Sequence, residues 1–348
     1  MKTGLFFSIV IPTYNRASNL KIALKHILKQ NFKNFEVVVS DNASTDKTEE
    51  IVRSLSDKRI KYFRNKTNID VMPNVRKSIT LAKGKYVFLH GDDDLLINES
   101  ALSMLHKIIS ETKVGYLRVN YLSLSPDGKH IFDFRASKNY IKDIMLKKTE
   151  DNLKIIEFLL KSDPSFITGV IFKNDLPSTV KVLDSQLYSW FPIIFYSSKK
   201  YGAYYVNTPY ILAGWSQWRM REDDFNPLYS IRNGKLTSEN YFHFVEKHLK
   251  RNEYKKFLRE QLQSVYVNRF LIIKLFTGNK NLKLLTERLR TLEPTVNRNL
   301  FFNLHLILAL IIPRFVLVHI KNVYLAIYIK RANKDSKYNV KYLLSNNF

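Results

Sequence analysis

The sequence predicts an α/β fold, a mostly parallel sheet flanked by helices, with a helical region attached at its carboxyl side. Three observations carry the prediction. Strand-like and helix-like stretches alternate four times in about the first hundred residues. The loops after the first, second and fourth strands are polar and fall at strand carboxyl ends, where an open α/β sheet binds its ligands. Beyond Thr237 the pattern changes to long helical repeats.

Phe6–Pro12 (FSIVIP and its flanks) is a β-branched run ending at a proline, as suits a central strand at its carboxyl end. The run is too short for the apolar core of a signal peptide, polar residues follow at once and no small-residue cleavage site appears, so MKTGLFFSIVIPTYN reads as the first strand. The polar turn Thr13–Arg16 leads to a helix over Asn19–Leu28, with Leu20, Ala23, Leu24, Ile27 and Leu28 at helical spacing and Ser18 as N-cap. Phe35–Ser40 is the second strand. Asp46 and Glu49 have capping-box spacing for a helix through Leu55. Ile60–Phe63 is a third strand and Val75–Ala82 a helix.

The fourth strand, Tyr86–Leu89, stops at Gly91, Asp92, Asp93 and Asp94. Three successive carboxylates at a strand end cannot be buried without compensation. One reading is a site for Mg²⁺ or Mn²⁺, hard cations that share one or two carboxylates with substrate phosphates. The other is an acidic turn before the helix that begins near Asn98.

Composition narrows the partners. The formal charge of +25 calls for a polyanion: phosphate-bearing substrates, anionic lipid or nucleic acid. Nucleic acid ranks last, since the sequence has no zinc-finger, RNP or helix-turn-helix signature and its bases are dispersed. The absence of cysteine excludes disulfides and Cys-ligated metals. At 348 residues the chain suits one principal domain with an appendage, placed here at 1–235 and 236–348.

The runs FSIVIPTYNR, FEVVVSDNASTDKT and AKGKYVFLHGDDDLL, in this order and spacing, resemble the amino-terminal half of family 2 glycosyltransferases with the GT-A (Rossmann-like) fold, over roughly residues 5 to 115. The resemblance implies a nucleotide-sugar-binding half at 1–100 and an acceptor-binding half at 101–235. It implies that Pro12, Thr13 and Tyr14 line the base pocket with Arg16 at its edge, and that Asp41 accepts a hydrogen bond from the base. Asp93 becomes the metal ligand, Asp94 a second ligand or a helix-side partner, and Asp92 faces ribose or sugar. Asp46 stays a cap. Two departures stand out: Gly91 occupies the place of the first aspartate of an Asp-x-Asp-Asp pattern, and Asp70 stands in Asn68-Ile69-Asp70 where relatives often have glycine. Arg76 and Lys77 suit either the diphosphate or a solvated helix face.

Later elements are a helix through Leu102, Leu105, Ile108 and Ile109, strands at Gly115–Ser123, His130–Phe134 and Ser165–Phe172, and a turn at 126–128. Gly169 in the last strand would let substrate come close. The resemblance implies a carboxylate base beyond that strand, usually in a Glu-Asp pair that this chain lacks there; Asp184 is the assignment, with Glu222, Asp223 and Asp224 a later acidic group. Trp215 and Trp218, beside Arg219 and Arg221, suit either acceptor stacking or packing. Residues 300–329 are strongly apolar but interrupted by His305, Pro313, Arg314, His319 and Lys321. They read as a helix pair on an anionic membrane surface, with a single interrupted span or a homo-oligomer interface as alternatives.

The resulting expectation is an inverting, metal-dependent glycosyltransferase. It would move sugar from a nucleoside-diphosphate donor, UDP before dTDP or GDP, to a glycan or lipid-linked acceptor in cell-surface polysaccharide synthesis, from the inner face of the membrane. A nucleotidyltransferase and an inactive scaffold of the same fold are the alternatives.

Overall fold

A computed structural model describes residues 4–124, 129–133, 140–175, 177, 179–180, 182–184, 188–214, 231–232, 235–236, 238–332 and 334. The chain divides into two compact units, one of Met1–Leu183, Trp190–Trp218 and Ala332–Phe348, the other of Asp184–Ser189 and Arg219–Arg331. A short segment at 184–189 joins the second unit.

The first unit opens with β1 (Phe7–Thr13), α1 (Ala17–Leu28), β2 (Phe35–Asp41), α2 (Thr48–Ser54), β3 (Ile60–Arg64), α3 (Val71–Thr80) and β4 (Tyr86–Leu89). There follow β5 (Leu95–Leu96), α4 (Ala101–Thr112), β6 (Tyr116–Leu124), β7 (Ile131–Asp133), β8 (Ile144–Leu146), α5 (Asn152–Lys161), β9 (Val170–Lys173), α6 (Phe191–Tyr201) and β10 (Ala203–Ala213). The sheet runs β3-β2-β1-β4-β9-β6-β10-β5, with β7 on β6 and β8 on β10. β3, β2, β1 and β4 are mutually parallel, as the strand-helix alternation predicts. β9 runs antiparallel between β4 and β6, so the sheet is mixed beyond its amino-terminal half.

Strands β1, β2 and β4 are buried almost throughout, which explains their near-continuous apolar runs. Phe7, Ile9, Val37 and Phe88 meet Leu24 and Leu105 of the covering helices in one core. Chain order turns outward from β1 in two directions, to β2 and to β4, making the β1/β4 carboxyl edge the switch point where a crevice opens.

Local differences from the sequence expectation have identifiable causes. Ser18 does not cap α1: Arg16 holds the N-cap position, and the Ala17 N–H donates to Asp46 Oδ2 at 3.0 Å. Asp46 Oδ1 also accepts the Thr48 N–H at 3.0 Å, so one carboxylate ties the starts of α1 and α2. α3 begins at Val71, four residues before the expected start, because Pro73 sits in its first turn, where a missing N–H costs nothing. The strand expected from Ser165 starts only at Val170, since Asp163 and Gly169 have φ of 52° and 87°. Gly169 serves packing, not substrate access: a Cβ there would lie 2.9 Å from the Val119 carbonyl oxygen.

The second unit contains helices Glu239–Glu246, Arg251–Gln261, Phe270–Leu292, Leu300–Ile311 and Arg314–Ala332. Tyr241, Val245, Leu258, Phe270, Leu285 and Phe302 are buried. Arg288 grips Glu239 with two hydrogen bonds, 2.5 and 2.9 Å.

Candidate active site

Three loops from the carboxyl ends of β1, β2 and β4 meet at the switch point. Thr13 closes β1, and its hydroxyl donates to Asp92 Oδ2 at 2.6 Å across 79 residues of sequence. Arg16 Nη1 lies 3.4 Å from Asp93 Oδ2, with the arginine side chain 40% exposed and the aspartate 13%. Asn15 adopts φ 53°, a conformation that Asn tolerates better than most residues. From there its N–H donates to Ser44 Oγ at 2.9 Å and its Oδ1 accepts the Thr45 N–H at 2.7 Å. The first loop is thereby stitched to both others. Tyr14 is 43% exposed, and Pro12, next to the last residue of β1, is half-buried.

Asp41, at the end of β2, is fully buried. Its Oδ1 accepts the Ser44 N–H at 2.9 Å, its Oδ2 accepts the Tyr62 hydroxyl at 2.5 Å, and Arg64 Nε lies 3.7 Å away. Burial and the Asp41 carboxylate hold the Tyr62 phenol protonated well above its usual range. Asp41 is therefore committed to the chain's own donors. Asn42 organises the neighbouring loop, accepting from Ile69 N–H at 2.9 Å and donating to Asn68 Oδ1 at 2.8 Å, which leaves Asp70 exposed beside α3. Lys77 is turned to Asn65 Oδ1 at 2.6 Å, so it serves this loop rather than an open face.

The three aspartates have different surroundings. Asp94 is buried: its Oδ1 accepts the Gly214 N–H at 2.6 Å and its Oδ2 the Thr168 hydroxyl. Both of its oxygens accept from the protein, binding the loops before β9 and after β10. Burial and the adjacent Asp93 push Asp94 up to about 8. Asp92 is pushed up to about 7 by the same two causes. Gly91 fits this arrangement: a Cβ there would lie 2.4 Å from Asp94 Oδ2, in the space the carboxylate fills.

Asp92 and Asp93 are left to face the crevice. Among the described residues no group of three or more His, Asp or Glu side chains is arranged around one point. Two adjacent carboxylates are nevertheless the donor set that suits Mg²⁺ or Mn²⁺ when substrate phosphates and water complete the shell. Asp184 is exposed, belongs to the second unit, and its main-chain carbonyl accepts from Asn240 Nδ2 at 3.1 Å. Trp215, Trp218, Arg219, Arg221, Glu222, Asp223 and Asp224 lie outside the described residues.

Sequence reasoning missed Tyr62, Arg64, Thr168 and Gly214. Tyr62 and Arg64 share one face of β3 by their spacing of two, a visible signal. Thr168 and Gly214 carry none, because long-range pairing alone brings them to Asp94.

Comparison with known proteins agrees with this architecture. Residues 8–156 match the model of glycosyl transferase family 2. The chain is 43% identical over 117 residues to the GalNAc(5)-diNAcBac-PP-undecaprenol beta-1,3-glucosyltransferase of Campylobacter jejuni, covering 32% of this chain and 36% of that protein. It is 40% identical over 118 residues to the abequosyltransferase RfbV of Salmonella typhimurium, covering 32% and 35%. The chain thus spans about a third of the length of these curated relatives. Among solved structures, Staphylococcus aureus TarS 1-349 in complex with UDP-GlcNAc is similar with a TM-score of 0.50 and 18% identity, over 84% of this chain and 92% of that one, a likeness of fold. With the three motifs joined at one sheet edge and the family's model matched across them, residues 8–156 are similar to glycosyl transferase family 2, and the chain carries a GT-A fold.

Proposed function

We propose that this protein transfers a sugar, with inversion, from a nucleoside-diphosphate donor to a hydroxyl of a glycan or lipid-linked acceptor in cell-surface polysaccharide synthesis. UDP is the favoured nucleotide. The observation that carries the proposal is the joining of the first motif to the third through Thr13–Asp92 and Arg16–Asp93. It brings a guanidinium and two carboxylates to one edge of the sheet. The names of the relatives, a glucosyltransferase and an abequosyltransferase, support sugar transfer in bacterial glycan synthesis.

In this reading Tyr14 and Pro12 cover a face of the base, a role suited to the exposed ring. Asp41 accepts the base N–H once Tyr62 yields its hydrogen bond. Arg16 stands at the diphosphate side, and Asp92, steadied by Thr13, receives a ribose or sugar hydroxyl. Asp93, with Asp92 beside it, would hold a Mg²⁺ or Mn²⁺, which would supply Lewis-acid neutralisation of charge on the departing diphosphate. The acceptor oxygen bonds to the anomeric carbon as the carbon–phosphate oxygen bond breaks, and the acceptor proton passes to a carboxylate base. Asp184 is assigned that task on the family resemblance.

The test is a panel of UDP-, dTDP- and GDP-sugars assayed for nucleotide release, with Mn²⁺ or with chelator. Release of nucleoside diphosphate from a UDP-sugar in the presence of Mn²⁺ supports the reading. Pyrophosphate release would instead identify a nucleotidyltransferase, and no turnover of any donor an inactive scaffold. Asp184→Asn should lower kcat by about 10²–10⁴-fold with little change in KM for donor; an unchanged kcat moves the base to another carboxylate.

A further inference from the structure

The second unit carries an apolar surface that glycosyl transfer does not account for. In helix Leu300–Ile311, Phe302, Leu306 and Ala309 are buried, so one side is covered by the protein. The other side, Leu300, Phe301, Leu304, Ile307, Leu308 and Ile311, is exposed and wholly apolar, at the 3-4-3 spacing of a single helix face. A helix apolar on both sides belongs in a setting without water on either. Helix Arg314–Ala332 continues the surface with exposed Phe315, Val318, Ile320, Val323, Tyr324 and Ile327. Ile311 and Phe315, at 71% and 75% exposure, flank the break between the two helices.

The break is a constructed corner. Pro313 interrupts the backbone ladder, and the buried Lys274 donates to the carbonyls of both Leu310, at 3.0 Å, and Ile312, at 2.5 Å. Arg314 Nε donates to the Leu275 carbonyl at 2.9 Å, fixing the other side. Among the described residues no single helix is long and apolar enough to cross a membrane, and this pair passes such a test only jointly, bent by 96°. A corner held by two cations does not straighten into a span.

The charges select the partner. From Pro294 to Lys334 the sequence has no aspartate or glutamate, but it has Arg298, Arg314, Lys321, Lys330, Arg331 and Lys334. A two-fold interface between copies would set these bases against each other without an acid to pair with. An anionic lipid surface meets both features at once, acyl chains against the apolar side chains and headgroups against the bases. We propose that the bent pair 300–332 is a monotopic anchor that seats the protein in the interfacial layer of an anionic phospholipid bilayer without crossing it. The proposal is independent of the transfer reading, and its test reads no turnover.

The test is co-sedimentation of the full chain with vesicles of phosphatidylcholine alone or containing phosphatidylglycerol, for wild type, the double variant I311D/F315D, and Lys330→Gln. Both substituted apolar positions are exposed, so circular dichroism and melting temperature should match wild type. Wild type should sediment with the phosphatidylglycerol vesicles, the double variant should partition at least about tenfold more weakly, and K330Q should lose part of the dependence on anionic lipid. Equal sedimentation of wild type and I311D/F315D would overturn the proposal. So would a wild type that ignores vesicles but elutes as a dimer that I311D/F315D converts to monomer, which would assign the surface to a second copy. Protection of residues 300–332 from protease added to both sides of the vesicles would also contradict a surface seat.

Discussion

Asp92, Asp93 and Asp94 are chemically identical in sequence and different in the fold. The difference comes from what each meets. Asp94 receives a backbone N–H from Gly214 and a hydroxyl from Thr168, and so anchors the loop. Asp92 is steadied by Thr13, and Asp93 keeps an edge toward solvent beside Arg16. Gly91 therefore reads as an accommodation of Asp94, not as a lost ligand. Gly91→Asp should lower stability by about 1–3 kcal/mol, because the new side chain collides with a buried carboxylate and breaks its hydrogen bonds. Chemical denaturation of purified variants checks this. An unchanged midpoint, with tighter Mn²⁺ binding, would show that the position accepts a ligand after all. The triplet itself was legible in the sequence as a charge cluster at a strand end. Which member turns inward was not, since Thr168 and Gly214 lie 74 and 120 residues away and reach Asp94 only through the sheet's crossovers.

At the level of elements, the amino-terminal strands and helices were legible because each carries its own periodicity: apolar runs in β1, β2 and β4, and a buried stripe in α1 and α4. The antiparallel insertion of β9 was not, because pairing direction leaves no trace in a four-residue apolar strand. The loop before β9 rests on Arg118, a fully buried guanidinium that donates to the carbonyls of Thr168 at 2.7 Å and Ser162 at 3.1 Å and lies over the rings of Tyr121 and Phe166. Arg118 is thus a positioning residue: it holds Thr168, which holds Asp94, which holds the acidic loop. Arg118→Met should reduce kcat by about tenfold or more and lower the melting temperature. Arg118→Lys, which keeps one donor, should recover part of the kcat. Equal kcat in R118M and wild type would show that the support ends at Thr168.

At the scale of the molecule, two units divide the composition between them. The first holds residues 8–156, which match the family's model, and the carboxyl ends of β1, β2 and β4, while the second holds the exposed apolar helix pair. The large positive charge was informative in the sequence only as a class of partner, polyanionic. The two proposed sites would both answer to that charge, one toward donor phosphates and one toward lipid. The central claim belongs to the first of these, that Asp93 presents the cation on which the donor diphosphate is held. The most direct measurement is Mn²⁺-dependent release of nucleoside diphosphate by Asp93→Ala beside wild type, at matched melting temperatures. The account predicts release by wild type and its loss, by about 10²–10³-fold or more, in D93A with the fold intact. Release at the wild-type rate by a folded D93A protein would contradict it.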